Sequence, residues 1–304
     1  MKWQVLANKL QQNIDGQVLA QVPMKNFTTW RVGGPADLMI IPRIIGDIQV
    51  AVLFAQEYDL PITVVGNGSN LLVLDGGIRG LVIKLGGGLR DASLQGNIIT
   101  AEGGVMFPAL ARMALEASLS GLEFAAGIPA TLGGGLIMNA GAFGQDIGCL
   151  IEQVETINYQ GKQQKWLKDE LSFSYRSSSL QGQNLIILKA VLRLTPALRE
   201  DIAARMEKNR TFRSKIQPID FPSAGSVFRN PAYDYAGRLI EEVGLKGHRI
   251  GDAAVSPKHA NFIINCGCAT GREILELIKT IQQRVFEQKG IMLVPEVLIL
   301  GEEG

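Results

Sequence analysis

Apolar residues repeat along the chain with two periods, and their alternation predicts three successive units. Ile48, Ala51, Val52 and Ala55 share one helical face, so Asp47–Tyr58 reads as a helix with Asp47 as candidate cap. The runs Ile62–Val65, Leu71–Leu74 and Leu81–Leu85 read as strands, which makes the first segment a small α/β unit. Ile98–Ala101 reads as a strand and Phe107–Leu119 as a helix, with Phe107, Leu110, Ala111, Ala114 and Leu115 in phase. Val154–Tyr159 and the nearly continuous apolar run Ile186–Leu194 add strands, so the middle segment reads as α+β with a mostly antiparallel sheet.

The pattern changes near Pro196. Leu198–Lys215 is charged and helical in period. Tyr235–Val243 is a shorter helix, with Ala236, Leu239, Ile240 and Val243 in phase and Gly244 as its stop. Thr270-Gly-Arg-Glu273 matches a capping box, and Ile274, Leu277, Ile278, Ile281 and Val285 form the stripe that follows. Pro196–Gly290 thus reads as a third, α/β unit, and Met292–Leu300 as a last strand. No internal repeat interrupts this order.

Composition narrows the class. Of 304 residues, 46% are hydrophobic and 19% charged, which is a globular balance with enough chain for two or three cores. The formal charge is +1 and no basic block stands out, so a nucleic-acid or membrane-surface partner has no electrostatic support. Met1–Asn13 lacks the apolar core of an export signal, and no apolar stretch is long enough to span a bilayer. Cys149, Cys266 and Cys268 are sparse and odd in number, which fits reduced thiols in a cytoplasm. With only His248 and His259 beside them, no metal site is expected.

The 35 glycines are informative because many are clustered. Gly66-Asn67-Gly68-Ser69-Asn70 stands between two apolar runs. No Gly-Lys-Ser/Thr follows, so it is not a P-loop, and it is not the Rossmann fingerprint either. Its bare backbone N–H groups suit an anion such as a pyrophosphate, and an ordinary hairpin turn fits it as well. A second cluster, Gly121–Gly148, contains the rigid turn Gly127-Ile128-Pro129, then Gly133-Gly134-Gly135 and Asn139-Ala140-Gly141-Ala142. A stretch so poor in side-chain volume fits either tight loop–helix packing or a large flat ligand. Two such segments in an α/β setting point to one extended dinucleotide, and a flavin suits them better than a resident nicotinamide.

At this point the chain closely resembles a known family. TTWRVGGPAD (Thr28–Asp37), GNGSNLLV (Gly66–Val73), DGGIRG (Asp75–Gly80) and GIPATLGGGLIMNAGAFG (Gly127–Gly144) carry the resemblance in the first half. SYRSS (Ser174–Ser178), PSAGSVFRNP (Pro222–Pro231), AGRLIEEVGLKG (Ala236–Gly247), VSPKHANFIIN (Val255–Asn265) and VPEV (Val294–Val297) carry it in the second. Together they resemble the UDP-N-acetylenolpyruvoylglucosamine reductases, in order and over nearly the whole chain. The short passage from Tyr175 to Leu180 is similar to the shorter subtype. Ala130 departs from the glycine that many members have in that turn, which puts the turn's shape in question.

The resemblance implies an α+β flavoprotein with the two-subdomain FAD-binding fold of the vanillyl-alcohol-oxidase (PCMH) type and a C-terminal α/β substrate domain. The expected boundaries are residues 1–86 and 87–196 for the two FAD-binding subdomains and 197–290 for the substrate domain, with the last strand, 291–304, returning to the first. It implies non-covalent FAD, NADPH as co-substrate, a UDP-sugar substrate, and a role in the peptidoglycan precursor route. The oligomeric state stays open. Gly66 to Asn70, Gly127, Ile128, Pro129, Gly133, Gly134 and Asn139 to Ala142 are the implied cofactor-binding positions.

The implied reaction reduces an enol ether conjugated to a carboxylate. Hydride addition leaves negative charge on the inner carbon and its carboxylate, so a fixed cation there stabilises the transition state most. The resemblance gives Arg176 this role, which suits a permanently charged, two-pronged guanidinium. Glu296 is implied as a second polariser, useful if protonated or if it holds a water or Arg176. Ser226 is implied as the proton donor, exposed by the Ala224-Gly225 turn. Tyr175, Lys215 and Asn230 are the implied substrate contacts; for Lys258 and His259 a packing or turn role fits equally. A covalent flavin oxidase of the same fold is disfavoured because neither glycine cluster holds a histidine. A non-catalytic UDP-sugar sensor is disfavoured because Arg176, Ser226 and Glu296 are all present.

Overall fold

Ile62–Val65 forms a strand with the bounds its apolar run predicts, and it pairs in parallel with Ile78–Lys84, Val65 lying opposite Lys84. The computed structural model describes residues 2–304, and these divide into two units, both discontinuous in sequence. The first comprises Met1–Ala20, Leu38–Asn67 and Gly80–Arg213. The second comprises Gln21–Asp37, Gly68–Arg79 and Ser214–Gly304.

The first unit has two hydrophobic cores. One lies on the parts of the strands Gln17–Pro23, Pro35–Ile41, Ile78–Lys84 and Ile62–Val65 that fall in this unit, residues 17–20, 38–41, 80–84 and 62–65 in sheet order. Leu38, Ile40, Leu81 and Ile83 from those strands bury with Ile48 and Val52 of the helix Ile45–Glu57. Leu6, Ala7 and Leu10 of an N-terminal helix, Lys2–Gln11, complete this core; that helix is too weakly patterned to be foreseen. Asp47 is not the cap of its helix but its third residue. Its buried carboxylate turns back to accept from the backbone N–H groups of Arg43 at 2.7 Å and of Asp15 at 2.9 Å, so it ties the helix start to a neighbouring loop.

The second core lies on a five-stranded sheet, antiparallel throughout, ordered Gln163–Leu167, Ile151–Asn158, Leu185–Arg193, Ile98–Glu102, Ala92–Gln95. The helix Phe107–Glu116 packs Phe107, Leu110, Ala111 and Ala114 into it. The helix stops at Glu116, short of the expected Leu119. Ser118 turns left-handed (φ 57°), and Leu119–Ser120 leaves as a strand paired with Thr195–Pro196.

In the second unit, Arg249–Ile250, Ala253–Val255 and Ile263–Asn265 form a small antiparallel sheet. The helices Ala236–Glu242 and Gly271–Lys289 share its core, where Leu239, Ile240, Ile274, Leu277, Ile278, Ile281 and Val285 are buried. The capping box is formed: Thr270 Oγ1 accepts from Glu273 N at 3.1 Å, and Glu273 Oε2 accepts from Thr270 N at 3.0 Å. Trp30 is fully buried in the same core and donates its Nε1–H to the Ile263 carbonyl at 2.7 Å.

The final strand is shorter than expected. Only Leu298–Leu300 forms a ladder, in parallel with Leu71–Val73. Upstream, Pro295 has no N–H to give and faces Phe228 in an isolated antiparallel bridge. The bonds fall on either side of that bridge, from Arg229 N to Val294 O at 2.9 Å and from Glu296 N to Val227 O at 2.7 Å.

Candidate active site

Gly66 and Asn67 close the Ile62–Val65 strand in the first unit, and there they meet the second glycine cluster. Asn67 donates its side-chain amide to the Pro129 carbonyl at 2.8 Å. A Cβ on Gly66 would come within 2.5 Å of Thr131 Oγ1, so glycine is required for the close approach. Thr131 caps the short helix Leu132–Ile137, accepting from Gly134 N at 3.3 Å. Beside Gly66, Gly134 has open space on its Cβ side except for Thr131 Oγ1 at 3.4 Å. Beneath the turn, Lys84 Nζ donates to the Gly66 carbonyl at 2.5 Å. Two bare backbone segments, an open Cβ position and a buried cation make a cradle of the chemistry that a dinucleotide pyrophosphate requires. The question raised by Ala130 is answered as well: it does not adopt a positive φ, so a side chain is tolerated in that turn.

Not every small residue of the cluster is small for a ligand's sake. A Cβ on Gly135 would enter the Phe107 ring at 2.2 Å, and one on Gly148 would strike the Phe173 ring at 2.4 Å. Gly141–Ala142 pairs with Gln145–Asp146 in a two-stranded ribbon. Asn139 is buried with its side chain committed to protein, donating to Ser174 O at 2.9 Å and accepting from Gly148 N at 3.0 Å.

The Asn139–Ser174 bond brings Arg176 to this segment. Phe173–Ser174 and Ser177–Ser178 form a hairpin whose two-residue turn is Tyr175-Arg176. Ser178 Oγ donates to Ile137 O at 2.8 Å, so both strands are tied to the glycine-rich stretch. Arg176 sits at the turn with φ 55°, a left-handed backbone that costs a non-glycine residue about 1–2 kcal/mol. Its guanidinium lies over the exposed Tyr175 ring, 5.1 Å from the centroid. Arg213, which the sequence reading did not single out, donates to the Gly127 carbonyl. Burial, and then the Arg176 cation, pull its pKa down. Two like charges held near each other mark a place suited to an anion.

The second unit assembles the other implied residues. Gly225 takes φ 76° with open space around it, so it is the backbone turn and not crowding that calls for glycine before Ser226. The following residues are gripped from two sides. Asn261, 3% exposed, accepts from Phe228 N at 3.0 Å and donates to Phe228 O at 2.8 Å, while its own carbonyl accepts from Val227 N at 2.8 Å. On the opposite side runs the Val294–Glu296 segment. Asn70 holds that segment in turn: its amide donates to Glu296 O at 3.1 Å, and its carbonyl accepts from Leu298 N at 3.0 Å.

Ser226, Asn230, Arg238, Glu241, His259 and Asn261 contribute to the lining of a cavity of about 390 Å³ in this unit. Asn230 Oδ1 accepts from Ala236 N at 3.1 Å, which orders the start of the Ala236–Glu242 helix. Lys215 is exposed in the last turn of the helix Arg199–Ile216. Ser256 Oγ accepts from the backbone of Lys258 and His259, so those two belong to a turn. Burial draws the His259 pKa down, and its Nδ1 accepts from Asn261 N at 3.2 Å.

Two family models match this chain. An FAD binding domain matches residues 36–166, and a UDP-N-acetylenolpyruvoylglucosamine reductase C-terminal domain matches residues 217–300. UDP-N-acetylenolpyruvoylglucosamine reductase of Desulforamulus reducens is 45% identical over 98% of both chains, and that of Moorella thermoacetica is likewise 45% identical over 98% of both. The chain belongs to the UDP-N-acetylenolpyruvoylglucosamine reductase family. The crystal structure of the reductase from Thermus caldophilus aligns with a TM-score of 0.80 at 36% identity, covering 94% of this chain and 99% of that one. Membership makes the chain an FAD-dependent oxidoreductase with the two-subdomain flavin fold and a C-terminal family domain. Among the described residues no helix is long and apolar enough to cross a membrane.

Proposed function

We propose that this enzyme reduces UDP-N-acetylenolpyruvoylglucosamine to UDP-N-acetylmuramate in the cytoplasm, with NADPH as the reductant and FAD held non-covalently. The domain limits implied by the family would place the flavin between residues 1–86 and 87–196 and the substrate on 197–290. Bound FAD supplies the two-electron relay between NADPH and the enolpyruvyl double bond. The chain itself orients, polarises and protonates.

Gly66-Asn67 with Pro129–Gly134 are the backbone surfaces offered to the dinucleotide. Arg176 faces the substrate carboxylate, where negative charge grows as hydride reaches the terminal carbon, and its fork binds two oxygens at once. Ser226 gives its hydroxyl proton to the inner carbon. Glu296 acts beside it on the carboxylate end, and Tyr175, Lys215 and Asn230 hold the sugar and diphosphate. The observation that carries this reading is the Glu296 N–H to Val227 O bond of 2.7 Å, which sets Glu296 on the chain segment abutting Ser226. Glu296 and Ser226, far apart in sequence, thereby lie on neighbouring segments, with Val227 as the residue that joins them.

The test is the anaerobic visible spectrum of the FAD-loaded enzyme through one cycle. Bleaching on NADPH followed by recovery on UDP-N-acetylenolpyruvoylglucosamine is the expected result. Bleaching without recovery would sink the substrate assignment, and no bleaching with NADPH would sink the reductant.

A further inference from the structure

Lys84 is 5% exposed, yet its ammonium is spent on backbone. Nζ donates to Gly66 O at 2.5 Å and to Gly86 O at 3.0 Å. Burial is the cause that lowers its pKa, to about 8, so the group is still charged at neutral pH. Holding a charge in such a place is costly, and an apolar side chain of the same length would fill the volume without that cost.

The geometry says what the cation does. Lys84 ends its strand directly opposite Val65, the residue before Gly66, so its side chain reaches the turn from below. The packing is tight: a Cβ on Gly86 would lie 2.6 Å from Gly66 O and 2.7 Å from Lys84 Nζ. The peptide bond between Gly66 and Asn67 is trans, and in a trans peptide the C=O and N–H point in opposite directions. With the Gly66 carbonyl drawn down onto the ammonium, the Asn67 N–H is aimed away from Lys84. The cation also polarises that peptide, which makes the N–H a stronger donor to an anion.

We propose that Lys84 is a positioning residue for the flavin dinucleotide: its buried ammonium locks the Gly66–Asn67 peptide with the N–H outward and places positive charge behind the donor that meets the pyrophosphate. This rests on the reading that the Gly66 turn holds the pyrophosphate. Lys84 touches no substrate atom and acts through the peptide.

The test uses full-length apoprotein, with FAD affinity read from the change in flavin fluorescence on titration and stability from thermal unfolding without FAD. Lys84→Met should leave the melting temperature of the apoprotein within a few degrees of wild type, because the Gly66 and Gly86 carbonyls lose a donor while the cost of burying a charge is removed. The same variant should bind FAD about ten- to a hundredfold more weakly, the loss expected for a charged hydrogen bond. Lys84→Gln, which keeps a donor without the charge, should fall between. Wild-type affinity in Lys84→Met overturns the proposal. So does weaker binding that comes with a collapsed melting temperature in both variants, which makes Lys84 merely structural. Gly66→Ala separates the underlying reading: if it leaves FAD affinity unchanged, the turn does not hold the pyrophosphate, whatever Lys84 does.

Discussion

The side-chain amide of Asn139 donates to the carbonyl of Ser174 at 2.9 Å, and through that bond the glycine-rich stretch carries the hairpin whose turn is Tyr175-Arg176. Asn139→Ala leaves the Ser174 carbonyl and the buried Gly148 N–H without this partner. The loss should be about 1–3 kcal/mol of stability. Asn139→Asp keeps an acceptor for Gly148 N but loses the donor to Ser174. It should recover part of the stability, while flavin reoxidation by substrate should be slowed as much as in Asn139→Ala, since the hairpin that carries Arg176 has lost the same bond in both. Full recovery of that rate in Asn139→Asp would detach Arg176 placement from Asn139.

Ser226→Ala should separate the two half-reactions. NADPH-driven flavin reduction should stay near the wild-type rate, while reoxidation by the enolpyruvyl substrate slows by about two or more orders of magnitude, as for a lost general acid. Stopped-flow absorbance reads both. Equal slowing of both halves removes Ser226 as the proton donor.

Arg176→Lys should rescue Arg176→Ala poorly. The planar fork is lost, and an ammonium on a flexible stem does not span two carboxylate oxygens. The kcat of both variants in steady state decides this: a lysine variant near wild type would reduce the role to charge alone.

His259 gives a pH dependence with a definite sign. Burial first, and then the Lys246 cation, lower its pKa below the ordinary imidazole value, with Glu241 opposing. A folded pKa below the unfolded one means the stabilisation is present above the unfolded value and is lost as pH falls through the folded one. Protonated Nδ1 can no longer accept from Asn261 N, the residue that grips Phe228 beside Ser226. Urea unfolding of the wild type should therefore weaken more than that of His259→Gln below about pH 6. Parallel curves for the two proteins would show that His259 does not titrate with unfolding.

Local structure was readable where a single element buries one face. The stripe from Ile274 to Val285 and the capping box at Thr270 appear as expected, because helical period and cap chemistry act within a few residues. Asp47 has the residue type of a cap, yet its carboxylate serves a loop thirty-odd residues upstream as well as its own helix start, and no local pattern encodes that partner. The apolar content of Met292–Leu300 predicts strand throughout. Pro295 and the partner it faces, Phe228, leave residues 292–297 only isolated bonds, and the ladder is confined to Leu298–Leu300.

By itself the sequence determined the class of cofactor, through its bare glycine turns and family motifs, and it supplied the arginine, serine and glutamate that we propose for the chemistry. Only the tertiary structure decided which of these meet. Gly66 and Asn67 join Pro129 and Thr131 because two strand and helix ends come together in one unit. Asn70 turns out to hold the Glu296 segment by backbone bonds of its own. Lys84 carries no signal, since a lysine ending a strand reads as ordinary, and Asn261 lies in a family motif that does not single it out. Their importance comes from burial, which strips away water and leaves each polar group bound to whichever backbone atom the fold brings within reach.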